Sequence, residues 1–284
     1  MKFGAHVSIA GGIANAPKNA AVLGCEIFQI FTRSPQGGKA PELTPALIKE
    51  FKSELKKYKF SDFVIHAPYY INFASANNRI RYGSISVVRE ELERGSAIGA
   101  KYLMTHLGSA KDLGQKEAIK KTIEGLIKVL DDYHGAAVFL IENSAGAGEI
   151  LGDTFDEIGE TICGVIEKIP KAKIGVCLDT CHAFASGYDW RSKLAVAETL
   201  KKFDQAIGLK YLKLMHANDS LTDFNSHLDR HAHIGAGKIG LAGFEAIIRN
   251  SRLKNINLIL ETDSDGLPDP RTKDLKILKK FRDK

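Results

Sequence analysis

Val138-Phe139-Leu140-Ile141-Glu142 is a run of apolar residues that stops on a carboxylate. The run shows no alternation. That suits a parallel strand covered on both faces, whereas a strand with one wet face places a polar residue at every second position. Working outward, the design recurs. Ile174-Gly175-Val176-Cys177-Leu178-Asp179 follows about one strand-plus-helix unit later and again ends on a carboxylate. Short apolar or β-branched runs predict strands at 2–6, 26–31, 62–66, 102–106, 137–142, 174–179, 211–216 and 257–262.

Helical periodicity fills the intervals. Ile119, Ile123, Leu126, Ile127 and Leu130 share one face; so do Phe155, Ile158, Ile162, Val165, Ile166 and Ile169, and Val196, Leu200, Phe203 and Ile207. Eight strands alternating with helices predict an α/β chain folded as a TIM-type (β/α)8 barrel, and 284 residues match the size that fold needs. An open doubly wound sheet is the alternative. Neither GxGxxG nor GxxxxGK[ST] follows the first strand, which argues against it. With no linker or shift in composition, residues 1–284 are expected to form a single catalytic barrel domain. The longest loops are expected at 32–43, 67–83 and 217–240.

A composition of 44% hydrophobic and 26% charged residues suits a globular enzyme with a large core. No apolar run is long enough to cross a membrane, and the N-terminal residues lack the apolar stretch of a signal peptide, so a cytoplasmic protein with no membrane partner is expected. Cys25, Cys163, Cys177 and Cys181 are scattered, mostly within apolar runs, and read as reduced core or near-core thiols. The formal charge of +6 is compatible with a polyanionic partner without naming one.

The chemistry is written at the strand ends. From the third strand onward the runs stop at or beside His66, His106, Glu142, Asp179, His216 and Glu261. In a barrel all C-terminal strand ends face one pocket, so six imidazoles and carboxylates converge there. Such crowding is costly unless cations neutralise it. Mixed histidine and carboxylate sets suit zinc, with manganese or iron next. His182, Asp229 and His231 lie in the adjoining loops and bring the count to nine, too many for one tetrahedral ion, so two or three metals are expected. Multi-metal sites suit in-line attack on phosphate. Of the other histidines, His6 faces the same pocket in a supporting position, His233 is an alternative to His231, and His134 and His227 read as ordinary surface residues.

The chain resembles the endonuclease IV family of abasic-site endonucleases. The likeness runs through Gly4-Ala5-His6-Val7-Ser8, Phe31-Thr32-Arg33-Ser34, Ile141-Glu142-Asn143-Ser144-Ala145-Gly146, Val176 to Phe184, His216-Ala217-Asn218-Asp219, Asp229-Arg230-His231 and Leu260-Glu261-Thr262. The resemblance implies three zinc ions per chain, with Mn2+ as a substitute. His66, His106 and Glu142 would hold one; Glu142, Asp179, His216 and Glu261 the second; His182, Asp229 and His231 the third. It implies Glu142 as the bridging catalytic carboxylate. It also implies a monomer that acts on double-stranded DNA, hydrolyses the phosphodiester 5′ to an abasic site and leaves a 3′-hydroxyl, with removal of 3′ blocking groups. Arg33, Gln36 and Tyr69 are the expected DNA contacts. The chain departs from the family where Gln36 and Gly38 replace an expected arginine and tryptophan.

Two rivals remain at this level. A metal-dependent sugar isomerase or epimerase uses the same barrel and strand-end ligands, but the set His182, Asp229 and His231 exceeds its needs. A non-catalytic DNA-binding protein would be expected to carry a helix-turn-helix or zinc-finger pattern, which the sequence lacks.

Overall fold

The computed structural model describes residues 1–264, 266 and 268–284. Eight parallel strands close into a barrel: β1 Phe3–His6, β2 Ile27–Ile30, β3 Phe63–His66, β4 Tyr102–Thr105, β5 Val138–Glu142, β6 Ile174–Asp179, β7 Leu212–His216 and β8 Asn257–Leu260. Each strand pairs with its sequence neighbours, and β8 closes on β1 through Phe3 opposite Leu258. The eight runs expected from sequence are the eight barrel strands.

Two apolar layers hold the barrel. Inside, Ile27, Val64, Met104, Leu140, Cys177, Leu214 and Ile259 form a buried plug below the strand ends. At Gly4 a Cβ would fall 1.7 Å from the Ile27 carbonyl oxygen, so only glycine lets β1 join the sheet there. Outside, the alternate strand residues meet the apolar faces of α4 (Gln115–Leu130), α5 (Phe155–Lys168) and α7 (Lys193–Ala206). Leu126, Ile158, Val196, Leu200 and Phe203 are fully buried, as their spacing predicts. The remaining helices are α1 (Ala16–Leu23), α2 (Pro45–Lys57), α3 (Asn78–Ile98), α6 (Thr180–Ala185), α8 (Gly240–Ile248) and α9 (Arg271–Asp283).

Three expectations need correction. The loop expected at 67–83 ends early, because Asn77 accepts the Arg79 and Ile80 N–H groups and caps α3. The segment after β6, expected as loop, is helix α6, capped by Asp179 itself. Cys177 and Cys181 are buried thiols, but Cys163 lies exposed on α5 rather than in or near the core. Among the described residues no helix is long and apolar enough to cross a membrane.

Candidate metal centre

Barrel register brings the polar strand ends together. β5 and β6 pair with Glu142 opposite Cys177, and a bulge between Val176 and Cys177 sets Asp179 opposite His216. Glu142 is fully buried at the centre. Its Oε2 lies 2.9 Å from His66 Nε2 and 3.6 Å from His106 Nε2, while Oε1 lies 2.8 Å from His216 Nδ1. His216 Nδ1 is also 3.0 Å from Glu261 Oε2 and 3.7 Å from Asp179 Oδ2.

The rest of the site comes from α6 and the loop after β7. Asp179 Oδ1 accepts the His182 N–H at 2.8 Å, so the helix cap also fixes where His182 projects. A two-residue ribbon, Asp219–Ser220 against His231–Ala232, folds the long loop back over the barrel mouth. Asp219 pins that loop by accepting the N–H groups of Gly235, Gly237, Ile239 and Gly240. His182 Nε2 then sits 3.2 Å from Asp229 Oδ2, and His231 Nε2 sits 3.3 Å from Asp229 Oδ1.

All nine side chains singled out in the sequence therefore gather in three overlapping sets: His66, His106 and Glu142; Glu142, Asp179, His216 and Glu261; His182, Asp229 and His231. Within each set the donor atoms lie within 4.8 Å of one another. A fourth grouping exchanges Cys181 for other members of the cluster, with Asp179 and His231. Burial pushes the Cys181 thiol well up in the metal-free chain, and its Sγ donates to the Arg230 carbonyl at 3.5 Å.

Several features fit cations between these atoms. His66 Nδ1 lies 2.6 Å from the Ala67 carbonyl and His182 Nδ1 lies 3.0 Å from that of Asn143. A carbonyl only accepts, so each Nδ1 carries the hydrogen, and in neutral rings both Nε2 lone pairs face the cluster. His182 Nε2 and His231 Nε2 confront each other at 3.3 Å. His106 Nδ1 is buried and has no hydrogen-bond partner among the described residues. Imidazoles and carboxylates in this mixture are the donor set that zinc takes.

The same crowding governs the charges. Burial favours the neutral Glu142 carboxyl, yet His106 and His216 hold it well below the usual carboxylate range. Burial also opposes charging His182, but Asp179 and Asp229 override it and push the imidazole up to about 10. At His106 burial wins over the pull of Glu142 and lowers the imidazole. At His6 burial wins again, to about 4.

The other histidines separate. His6 reaches the cluster indirectly, with Nδ1 3.0 Å from Gln29 Nε2. His233 pairs with Asp274 on α9 at 2.7 Å and lies outside the three sets. His134 and His227 are exposed. Sequence reasoning did not assign roles to the side chains that tie the strand ends together. Asn143 Oδ1 accepts the Asp179 N–H at 2.6 Å. Asn218 Nδ2 donates to Asp179 Oδ2 at 2.6 Å, and its Oδ1 accepts the Glu261 N–H at 2.8 Å. Their signal was position, immediately or two residues after a strand-end ligand.

Two adjoining cavities, of about 370 and 390 Å³, open over the cluster. Tyr69, His106, His182 and Asp229 border both; the first is otherwise largely apolar, with Ile71, Ala145 and Ile150 on its walls. Tyr69 is 69% exposed at the mouth, its ring edge-on to Phe31 and His66. Gln36 is exposed on the loop after β2. Arg33, expected as a DNA contact, is engaged within the chain. It is buried, 2.7 Å from Glu91 and 2.9 Å from Glu90 on α3, and the adjacent Thr32 hydroxyl also donates to Glu91. A guanidinium held by two glutamates anchors its own loop to α3.

Comparison with known proteins agrees with this geometry. Residues 17–281 match the family model described as the xylose isomerase-like TIM barrel. The chain is 41% identical to the “Probable endonuclease 4” of Nitrosopumilus maritimus over 93% of its own length and 94% of that protein's. It is 39% identical to the protein of the same name from Halothermothrix orenii, covering 99% of both. The crystal structure of endonuclease IV from Thermus thermophilus superposes with a TM-score of 0.87 at 32% identity, over 100% of this chain and 99% of that one. A D-tagatose 3-epimerase-like protein superposes at 0.71 with 22% identity, a likeness of fold alone. The chain belongs to the endonuclease IV family, an endonuclease-type hydrolase on a TIM barrel.

Proposed function

We propose that the chain is a zinc-dependent DNA-repair endonuclease that hydrolyses the phosphodiester 5′ to an abasic site, leaving a 3′-hydroxyl, and that also removes 3′ blocking groups. The observation that carries this reading is the sharing of Glu142. Its two oxygens each face a different histidine, and it belongs to two ligand sets at once. His66, His106 and Glu142 would hold one zinc; Glu142, Asp179, His216 and Glu261 a second; His182, Asp229 and His231 a third. Manganese is the expected substitute. When bound, such cations supply Lewis-acid charge that makes water acidic near neutral pH and offsets the charge gathering on the phosphate.

The chain's own residues supply the rest. The carbonyls of Ala67 and Asn143 fix the His66 and His182 rings, so those ligands are oriented before substrate arrives. Asn143 and Asn218 hold the Asp179 and Glu261 strand ends in register. The partly apolar cavity bordered by Ile71, Ala145 and Ile150 offers room beside the cluster for an extruded nucleotide. An abasic nucleotide is the least costly to extrude, because it has no base to unstack. Tyr69 stands at the mouth to meet the duplex, and Gln36 flanks it on the neighbouring loop. The chain is proposed to act as a monomer on double-stranded DNA.

The test is a nicking assay on a duplex with one abasic site beside an intact duplex, with and without chelator. Metal-dependent incision confined to the 5′ side of the lesion is expected. Equal cutting of both duplexes, or cutting that survives complete metal removal, overturns the reading.

A further inference from the structure

Gln29 is the polar residue of strand β2, between Phe28 and Ile30, and it is fully buried. Its amide meets three partners. Nε2 lies 2.5 Å from Glu261 Oε1 and 3.0 Å from His6 Nδ1, and Oε1 lies 2.9 Å from His216 Nε2. The orientation of the amide follows from chemistry. An ionised carboxylate only accepts hydrogen bonds, so the atom facing Glu261 is the nitrogen. The oxygen then faces His216, and the His216 ring must carry hydrogen on Nε2.

That choice leaves His216 Nδ1 as the atom turned to the cluster, 2.8 Å from Glu142 Oε1 and 3.0 Å from Glu261 Oε2. The hydrogen bond to Glu261 Oε1 likewise holds the other carboxylate oxygen toward the same point. We infer that Gln29 is a positioning residue of the metal centre: its single amide selects the His216 tautomer and sets the rotation of Glu261, so that both present a ligand atom to one cation. The inference rests on the proposed metal centre.

An amide is the group this place requires. Two acceptors must be met by donors and one donor by an acceptor, and a primary amide offers two N–H bonds and a carbonyl. A glutamate in its place would oppose Glu261 with like charge. An aliphatic side chain would leave His6, His216 and Glu261 each short of a partner in a buried floor, where an unpaired polar group is costly. Outer contacts of this type typically alter metal affinity by about 10–100-fold.

The test is Gln29→Met, which keeps length and volume and deletes the three hydrogen bonds. Zinc-loaded wild-type and variant proteins are titrated with a chelator. Cobalt-substituted samples are compared by visible absorption, which reports the geometry around the ion. The expected result is a fall of about 10–100-fold in the affinity of one ion, a changed cobalt spectrum, and a lowered melting temperature in a protein that still folds cooperatively at saturating zinc. Wild-type affinity and spectrum in folded Gln29→Met protein overturn the proposal. If that variant fails to fold, Gln29→Ala, which adds no apolar atom to the polar floor, is read in the same way. Failure of both to fold at saturating zinc assigns Gln29 to packing and also overturns it. If the wild-type chain itself takes up no zinc, the metal centre falls, an outcome distinct from a variant that matches a zinc-binding wild type.

Discussion

His216 Nδ1 lies 2.8 Å from Glu142 Oε1, although the two residues end strands β7 and β5 with β6 between them. The other Glu142 oxygen reaches His66 at the end of β3. One buried carboxylate thus links the ends of β3 and β7 at the floor of the site. The consequence is that metal content, loop chemistry and catalysis can be tested separately, because six of the nine ligands lie at or beside strand ends, three come from α6 and the loop after β7, and the expected DNA contacts Gln36 and Tyr69 lie on other loops.

Metal content is the simplest quantity to measure. Three ligand sets lead us to expect close to three transition-metal ions per chain, mainly zinc, by elemental analysis of purified protein. Stripping them should abolish incision and lower the melting temperature, since the ions bind the folded chain and leave buried carboxylates opposed when removed. A plateau at one ion with full activity would contradict the three-ion assignment.

Arg33 separates an anchoring role from a DNA contact. Arg33→Ala removes the nearer of two guanidinium partners of buried Glu91 and leaves Arg94 3.3 Å away, so the cost should fall below the about 3–5 kcal/mol of a buried pair broken outright. The melting temperature should fall, while the slope of log affinity against log salt for abasic DNA stays unchanged. A slope reduced by about 0.9 would mean that Arg33 does neutralise a phosphate.

How far this was visible in the sequence depends on the distance over which the information acts. The strands and all nine clustered side chains were legible, because continuous apolar runs ending in a polar residue are a local pattern and barrel closure supplies the convergence. Gln29 was not singled out: one polar residue in a buried strand could face either surface of the barrel, and only register shows that it faces His216 and Glu261. The ion pairs of Arg33 were hidden for the same reason. A basic residue beside a binding loop has the composition of a phosphate contact, and its partners Glu90 and Glu91 stand more than 50 residues away on α3. Helix α6 escaped because it is six residues long and carries its own cap as a ligand.

Gln36 tests the altered loop. It is exposed beside the mouth, where the family resemblance leads one to expect an arginine. Gln36→Arg should tighten binding to abasic DNA and steepen the salt dependence by about 0.9 if it adds one phosphate contact. Unchanged affinity and slope would place this loop away from the DNA.

Glu142→Gln is the most informative single change. The substitution keeps the size of the side chain but removes the negative charge that His106 and His216 stabilise, and it replaces one accepting oxygen with an N–H donor facing a histidine. The barrel walls are apolar layers that do not depend on this charge, so the fold should survive with a modest change in melting temperature. DNA binding should also survive, because Tyr69 and the neighbouring loops lie at the mouth and Glu142 lies at the floor. Incision should fall by at least about 100-fold, since displacement of a reacting group by ~1 Å can cost that much. If Glu142 merely satisfies the strand end, melting would suffer and turnover per folded molecule would not. Single-turnover cleavage and thermal melting on one preparation distinguish these outcomes, and near-normal cleavage by folded Glu142→Gln protein would remove the residue from the catalytic centre.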